Sequence, residues 1–366
     1  MERTYSLLNP DMSEASLSFL SPVLDVRCAI KKANLEARGI TILSHGMGQD
    51  SAMILALLTD PNRPEVYEKY VGDNDLIIVH ADTGNEHPET IEYRLWVRNY
   101  CASLNIPYVQ INGDMGFHTG EWANGLEAFW EARGTIGSAG FAPTCSDRLK
   151  ITPIYRFVET LLAARYGFPD HGKKSFEMYV EKFGRKIDVI IGFAKGENRS
   201  GTENVPDPQT NFFDLIPLGD AVEEEKSKEH KWMRIGVNKT YPMVDLGYDR
   251  AAAQEYVAAR GLPVPRPSNC MMCPYKSRQE VLEVVRRWPD VMARWIGHEK
   301  RKLDKWATLL EGKKNKKGEQ IPNFGVKGKI TLAGFVAEAE SKFGHLSDDQ
   351  IAEYVFSHGH KATLGK

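Results

Sequence analysis

Along the chain, short runs rich in β-branched and apolar residues alternate with longer stretches in which apolar positions recur at helical spacing. ITILS at 40–44 runs into Gly46 and Gly48, and Asp50 opens the apolar helical stretch SAMILALL, so this segment reads as strand, turn, helix. DLIIVHADTG at 75–84 reads as a strand and its exit loop. Pro88 then starts a helix through ETIEYRLWVRNYCASL, and PYVQING supplies a third strand. IDVIIGFAKGE at 187–197 has the continuous apolar character of a strand covered on both faces. Strands separated by helices predict an α/β fold with a doubly wound, mainly parallel sheet. Ligands on such sheets sit beyond the carboxyl ends of the strands, which is where Ser44 to Ser51, Asp82 to Glu86 and Gly192 to Arg199 fall.

Elsewhere the pattern is less regular. CSDRLKITPIYRFVETLLAARYGF from Cys145 predicts a loop leading into a helix, with Pro153 near its start. Residues 200–240, including PDPQTN and AVEEEKSKEHK, predict a polar surface excursion. YPMVDLGYDRAAAQEYVAARGLP predicts a short extended piece, then a helix started by Asp249 and ended by Gly261. Helical spacing runs from 276 to about 310, followed by the lysine-rich GKKNKKGEQ and two short helices. The expected organisation is an N-terminal extension over 1–37, a main α/β domain over 38–275 and a helical C-terminal region over 276–366.

Composition narrows the class without naming a partner. The 366 residues are 42% hydrophobic and 26% charged, as in a globular protein, and the net charge of −2 offers nucleic acid or anionic membranes no global attraction. No window approaches the ~18 apolar residues of a membrane span, and the N-terminus fits neither a secretory signal nor a transit peptide. A cytoplasmic location and no membrane partner are expected. Five cysteines do not suggest a disulfide framework, and the close pair Cys270 and Cys273 points to metal binding or redox work.

Several motifs carry candidate chemistry. A turn whose glycines admit positive φ aims successive amides into one concavity, and the helix behind it adds a positive dipole end. GMGQDS thereby becomes an anion seat, or simply a tight structural turn; it lacks the Lys followed by Ser/Thr of a kinase-like loop. Asp82, at a strand end, can accept from a ribose or orient a metal-bound water, while Gly84 lets the backbone approach a ligand. An Asx turn before a proline-started helix explains the same residues without a ligand. Arg148 and Lys150 offer a fork and a point charge to phosphate or sulfate oxygens, or form a solvated helix start. Cys270 and Cys273 can chelate one ion or cluster edge, or pack as small hydrophobes.

In their order and placement these motifs resemble the phosphoadenosine phosphosulfate reductase branch of the PP-loop ATP pyrophosphatase superfamily. GMGQDS resembles Ser-Gly-Gly-x-Asp-Ser, keeping Gly48, Asp50 and Ser51, with Gly46 or Ser44 in place of the first Ser and Met47 in place of the first Gly. HADTGNEHPET resembles that branch's Asp-Thr-Gly loop and Pro-Glu-Thr. PTCSDRLKITP resembles Cys-Cys-x-x-x-Lys-x-x-Pro, with Thr144 where the first cysteine stands. IGFAKGENRSGT resembles Gly-Ile-Arg-x-x-Glu-Ser, with Ala194 in place of arginine and Lys195 or Arg199 as substitutes. SNCMMCPYKS follows PMVD, which resembles Pro-Leu-x-Asp. The resemblance spans residues 38 to 280 and implies an adenine nucleotide alpha-hydrolase-like fold with a C-terminal helical extension.

It further implies ATP or an adenylyl sulfate as ligand, with Mg2+. Ser44, Gly46, Gly48, Gln49, Ser51, Asp82, Thr83, Gly84, Gly192, Glu197 and Arg199 would bind the nucleotide, and Asp50, Arg148 and Lys150 would act in catalysis. Cys145, Cys270 and Cys273 would hold an iron–sulfur cluster, with Zn2+ as the alternative, and the fourth ligand would be Cys28, Cys101, a histidine or substrate. Reduction of a sulfonucleotide needs a late cysteine, and the last one here is Cys273. The expected function is therefore adenylation-coupled sulfur transfer to an acceptor such as tRNA or DNA, supplied by a sulfur-donor protein, in a homo-oligomer. The alternatives are a sulfonucleotide reductase releasing sulfite and a non-catalytic nucleotide sensor of a mobile element or defence system.

Overall fold

A computed structural model of the chain describes residues 38–140, 144–169, 173–196, 231–314, 318 and 320–358. In chain order its elements are β1 (Ile40–Ser44), α1 (Gln49–Leu58), α2 (Pro64–Tyr70), β2 (Asp75–Ala81), α3 (Pro88–Ser103), β3 (Tyr108–Ile111), α4 (Leu126–Arg133), α5 (Thr152–Tyr166) and α6 (Lys173–Phe183). There follow β4 (Ile187–Ile191), α7 (Lys231–Gly236), β5 (Val237–Thr240), α8 (Arg250–Ala259), α9 (Arg278–Arg287), α10 (Pro289–Leu310), α11 (Leu332–Phe343) and α12 (Asp348–His358).

The described residues divide into two compact units. One takes its residues from 38–82, 88–118 and 150–268, the other from 83–87, 119–149 and 269–358. The C-terminal helical region expected from 276 thus begins at 269 and also recruits two earlier stretches. The reason is apolar: Leu126, Trp130, Ile136 and Leu149 share a core with Met272, Val281, Val284 and Trp295, where α4 buries its apolar side.

The first unit holds a five-stranded sheet in the order β3-β2-β1-β4-β5, every adjacent pair parallel. The α/β class and the parallel sheet therefore stand as expected. Alternate side chains go to opposite faces. Ile40, Ile42, Ile77, Val79, Ile187 and Val189 pack with α5 and α6 on one face, and Leu43, Leu76, Ile78 and Ile190 pack with α1, α3 and α8 on the other. Covering both faces is what makes these strands near-continuous apolar runs. Helix α1 is buried along all ten residues, so it is apolar around most of its circumference rather than along one stripe.

Local differences from the sequence reading have local causes. Gly48, in extended conformation, is the N-cap and α1 begins at Gln49, one residue before Asp50. The lead-in to α5 is helical, with a turn Thr144–Ser146 and a π-type turn Asp147–Ile151. PMVD forms a single helical turn with Pro242 at its start, where a proline is tolerated, rather than an extended piece. Strand β5, inside the stretch read as a polar excursion, carries the polar VNKT because it lies at the sheet edge. The helix opened by Asp249 is present, and the Asp249 side chain accepts from the Ala252 N–H at 2.9 Å. The pair of late helices is present as α11 and α12.

The second unit is helical around Trp295, which is fully buried. Ser277 and Glu280 cap α9 reciprocally, and the buried Glu299 carboxylate accepts from the N–H groups of Val326 and Leu332 at 2.6 and 2.7 Å. Among the described residues no helix is long and apolar enough to cross a membrane.

Candidate functional site

In the first unit the strand order reverses between β1 and β4, and in such sheets ligands bind beyond the carboxyl ends of the strands at this point. The glycine turn is the exit of β1, and Gly192 is the exit of β4. A Cβ built on Gly192 would stand 2.8 Å from the Ser51 nitrogen, so glycine is what lets the β4 exit lie against the first turn of α1. Gly48 has the same role toward another segment: its Cβ would stand 2.6 Å from the Ser268 hydroxyl and 2.9 Å from the Ser268 nitrogen.

The turn's unusual backbone position falls on Met47, fully buried, with φ of 57°. His45 supports it. The Met47 N–H donates to His45 Nδ1 at 3.2 Å, which puts the ring proton on Nε2, and Ser51 Oγ lies 3.5 Å from the same Nδ1 while donating to the Gly48 carbonyl at 3.0 Å. Burial, and then the neighbouring His80, push the His45 pKa down from 6.5 to about 3, so the ring is neutral at any physiological pH. His80 in turn approaches the His45 carbonyl at 3.0 Å.

Asp50, in the first turn of α1, forms an ion pair with Arg250 of α8 at 3.6 Å. One helical turn further along α8, Gln254 donates to Gln49 at 3.0 Å. Ser44, Gly46, Gly48, Gln49, Asp50, Ser51 and Gly192 are thus gathered in one unit. Asp82 belongs to it too, but its carboxylate pairs with Arg94 of the helix that follows, which makes it a fastening between β2 and α3. Lys150 opens the unit's third stretch within the π-type turn. Glu197 and Arg199 lie outside the described residues.

Thr83, Gly84, Cys145, Arg148, Cys270 and Cys273 fall in the second unit. Thr83 is engaged within its own turn, donating to Glu86 at 2.7 Å and accepting from the Asn85 N–H at 3.3 Å. Gly84 needs its positive φ of 71°. Arg148 is half exposed and pairs with neighbouring Asp147 at 3.6 Å. The segment 83–87 lies along the cysteine loop: Glu86 bridges Cys270, and Asn85 accepts from the N–H groups of Met271 and Met272 at 2.8 and 2.9 Å.

Cys270 and Cys273 are hydrogen-bonded to one another, which with Lys276 lowers the Cys273 thiol and, with burial, raises Cys270. Cys145 lies near enough to raise Cys270 further. Lys276 is 2% exposed and donates to Asn269 Oδ1 at 2.8 Å, with His87 Nε2 at 3.1 Å. Lys327, held down to about 8 by burial, donates to the carbonyls of Pro274 and Lys276. Cys273, close to the buried Lys276, and its neighbour Cys270 are suitable donors for a thiophilic group with compensated charge. Among the described residues, however, no three His, Cys, Asp or Glu side chains are placed as a metal-ligand set. Cys28 lies outside the described residues, and Cys101 packs in the first unit's core.

Sequence reading missed His45, Arg250, Gln254 and Ser268 at the turn, and the Lys276–His87–Asn269 cluster. Only the spacing of four between Arg250 and Gln254, which puts both on one helix face, was available as a signal. Neither a protein-family model nor a curated protein sequence matches the chain.

Proposed function

We propose that the chain is a PP-loop type enzyme that binds ATP and uses it for adenylation-coupled sulfur transfer. One observation carries the nucleotide half: a glycine turn with a left-handed residue, backed by the N-terminus of α1, stands at the β1–β4 switch point with Gly192 packed against it. Backbone amides and the helix dipole at such a place suit phosphate oxygens.

In the proposed reaction an acceptor oxygen attacks the α-phosphorus of ATP and pyrophosphate leaves. A sulfur nucleophile then bonds to the activated atom of the acceptor as the carbon–oxygen or phosphorus–oxygen bond to AMP breaks. The turn's task is to hold the pyrophosphate portion in line, with Asp50 the carboxylate on the turn. Mg2+ would offset phosphate charge. For the sulfur half the proposal keeps Cys145, Cys270 and Cys273 as the thiols that would hold an iron–sulfur cluster, which would supply the sulfur chemistry when bound, or structural Zn2+ in its place. Acceptor nucleic acid, donor protein and self-association belong to the same proposal.

Titration calorimetry with Mg-ATP and pyrophosphate release in the presence of tRNA or DNA test this reading. Asp50→Ala is expected to abolish release. Sulfite formed from adenylyl sulfate and a thiol would favour the reductase instead, and tight ATP binding without any product would favour a sensor. A visible absorption band in anaerobically purified protein distinguishes a cluster from colourless zinc or free thiols.

A further inference from the structure

Two features of the turn call for a positive group that its own backbone does not supply. First, the left-handed conformation of Met47 is the kind that turns an amide into an anion concavity, yet its N–H is already taken by His45 Nδ1. The turn is one amide short. Second, Asp50 places a carboxylate, only 12% exposed, on the helix end where a polyanion would sit. Like charges this close in a partly desolvated setting repel strongly.

Arg250 answers both. It is the first residue of α8, and the Gln254–Gln49 hydrogen bond fixes the same face of that helix against the start of α1. Its ion pair with Asp50, at 3.6 Å, puts the guanidinium's charge beside the first turn of α1. Guanidinium also matches phosphate geometry, offering planar, forked donors that an ammonium lacks.

We propose that Arg250 is the specificity residue of the turn: its guanidinium contacts the terminal phosphates of the bound nucleotide, in place of the amide that His45 withdraws. The ligand class it selects is a nucleotide with a polyanionic tail, or free pyrophosphate, over a nucleoside monophosphate. This rests on the nucleotide-binding reading of the turn.

The test is calorimetry on the full-length protein with ATP, ADP, AMP and inorganic pyrophosphate, with folding checked by circular dichroism. Arg250→Gln is expected to weaken ATP and pyrophosphate by about tenfold or more while AMP changes little, and Arg250→Lys to recover part of the loss. The double variant Asp50→Asn/Arg250→Gln separates contact from mere neutralisation. If Arg250 touches phosphate, removing the carboxylate does not restore the preference for ATP over AMP. Restoration in the double variant, or equal weakening of ATP and AMP by Arg250→Gln, overturns the proposal. Absence of heat with all four ligands in the unaltered protein sinks the nucleotide-binding reading itself, and is told apart because it precedes any substitution.

Discussion

Gly48 and Ser268 lie so close that a methyl group on the glycine would stand 2.6 Å from the serine hydroxyl and 2.7 Å from its Cβ. The need for glycine at this point of the turn thus comes from a chain segment 220 positions away in sequence, and not only from a ligand. Gly48→Ala is expected to cost about 1–3 kcal/mol by overpacking. Ser268→Gly in the same molecule should recover only part of that, because the Ser268 nitrogen remains 2.9 Å from the new methyl. Denaturant melts of the single and double variants measure it, and full recovery would show that the backbone yields.

Met47 combines a left-handed backbone with a fully buried side chain, and the two requirements pull in opposite directions. Losing the side chain should cost about 2–4 kcal/mol in any small variant. At most sites alanine is more stable than glycine, but here the backbone penalty for a Cβ, about 1 kcal/mol, reverses that preference. Met47→Gly should therefore be at least as stable as Met47→Ala. The opposite order in equilibrium unfolding would mean that the turn relaxes out of this conformation.

The contrast between these two residues shows what the sequence made legible. Gly46, Gly48 and the following apolar stretch announce a strand-turn-helix, because φ freedom and periodicity are local properties. The four apolar strands were legible for the same reason. Strand β5 was not, because VNKT is a polar edge strand with no apolar alternation to display. Nor were the partners of the turn: Ser268, Arg250 and His80 reach it through the fold, and beyond the spacing of four between Arg250 and Gln254 nothing in their own neighbourhoods marks them. Asp82 was legible as a strand-end carboxylate, but its pairing with Arg94 depends on how α3 packs on the sheet.

In the second unit, the Cys273 thiol is lowered first by its hydrogen bond with Cys270 and then by the charge of Lys276. Replacing Lys276 with a neutral side chain of similar length should move that thiol back up and slow its reaction with iodoacetamide at neutral pH. Lys276→Gln is the variant of choice, since its amide still donates to Asn269. Peptide mapping of the alkylated protein, timed across pH 6 to 9, follows the residue by itself. Cys101, pushed up to about 12 by burial, serves as the unreactive internal control. Unchanged Cys273 kinetics would show that the hydrogen bond from Cys270 alone sets its reactivity.

The buried imidazole of His45 makes the fold sensitive to acid in a definite window. In the native state its pKa is about 3, so it stays neutral, whereas in the unfolded chain it takes up a proton below 6.5. Between these values the unfolded state binds one proton more, so stability falls as the pH is lowered from 6.5 toward 3, by up to about 1.4 kcal/mol per pH unit from this residue. Above 6.5 the residue contributes no pH dependence. His45→Asn keeps an acceptor for the Met47 N–H and removes the titration, so its stability should fall less steeply than the unaltered protein's below pH 6.5. The comparison is made by urea unfolding at half-unit steps from pH 7.5 to 4.5, taking the difference between the two curves so that the carboxylates common to both cancel. Parallel curves would mean that the ring is protonated in the folded protein, and that the Met47 amide is not held by His45 Nδ1.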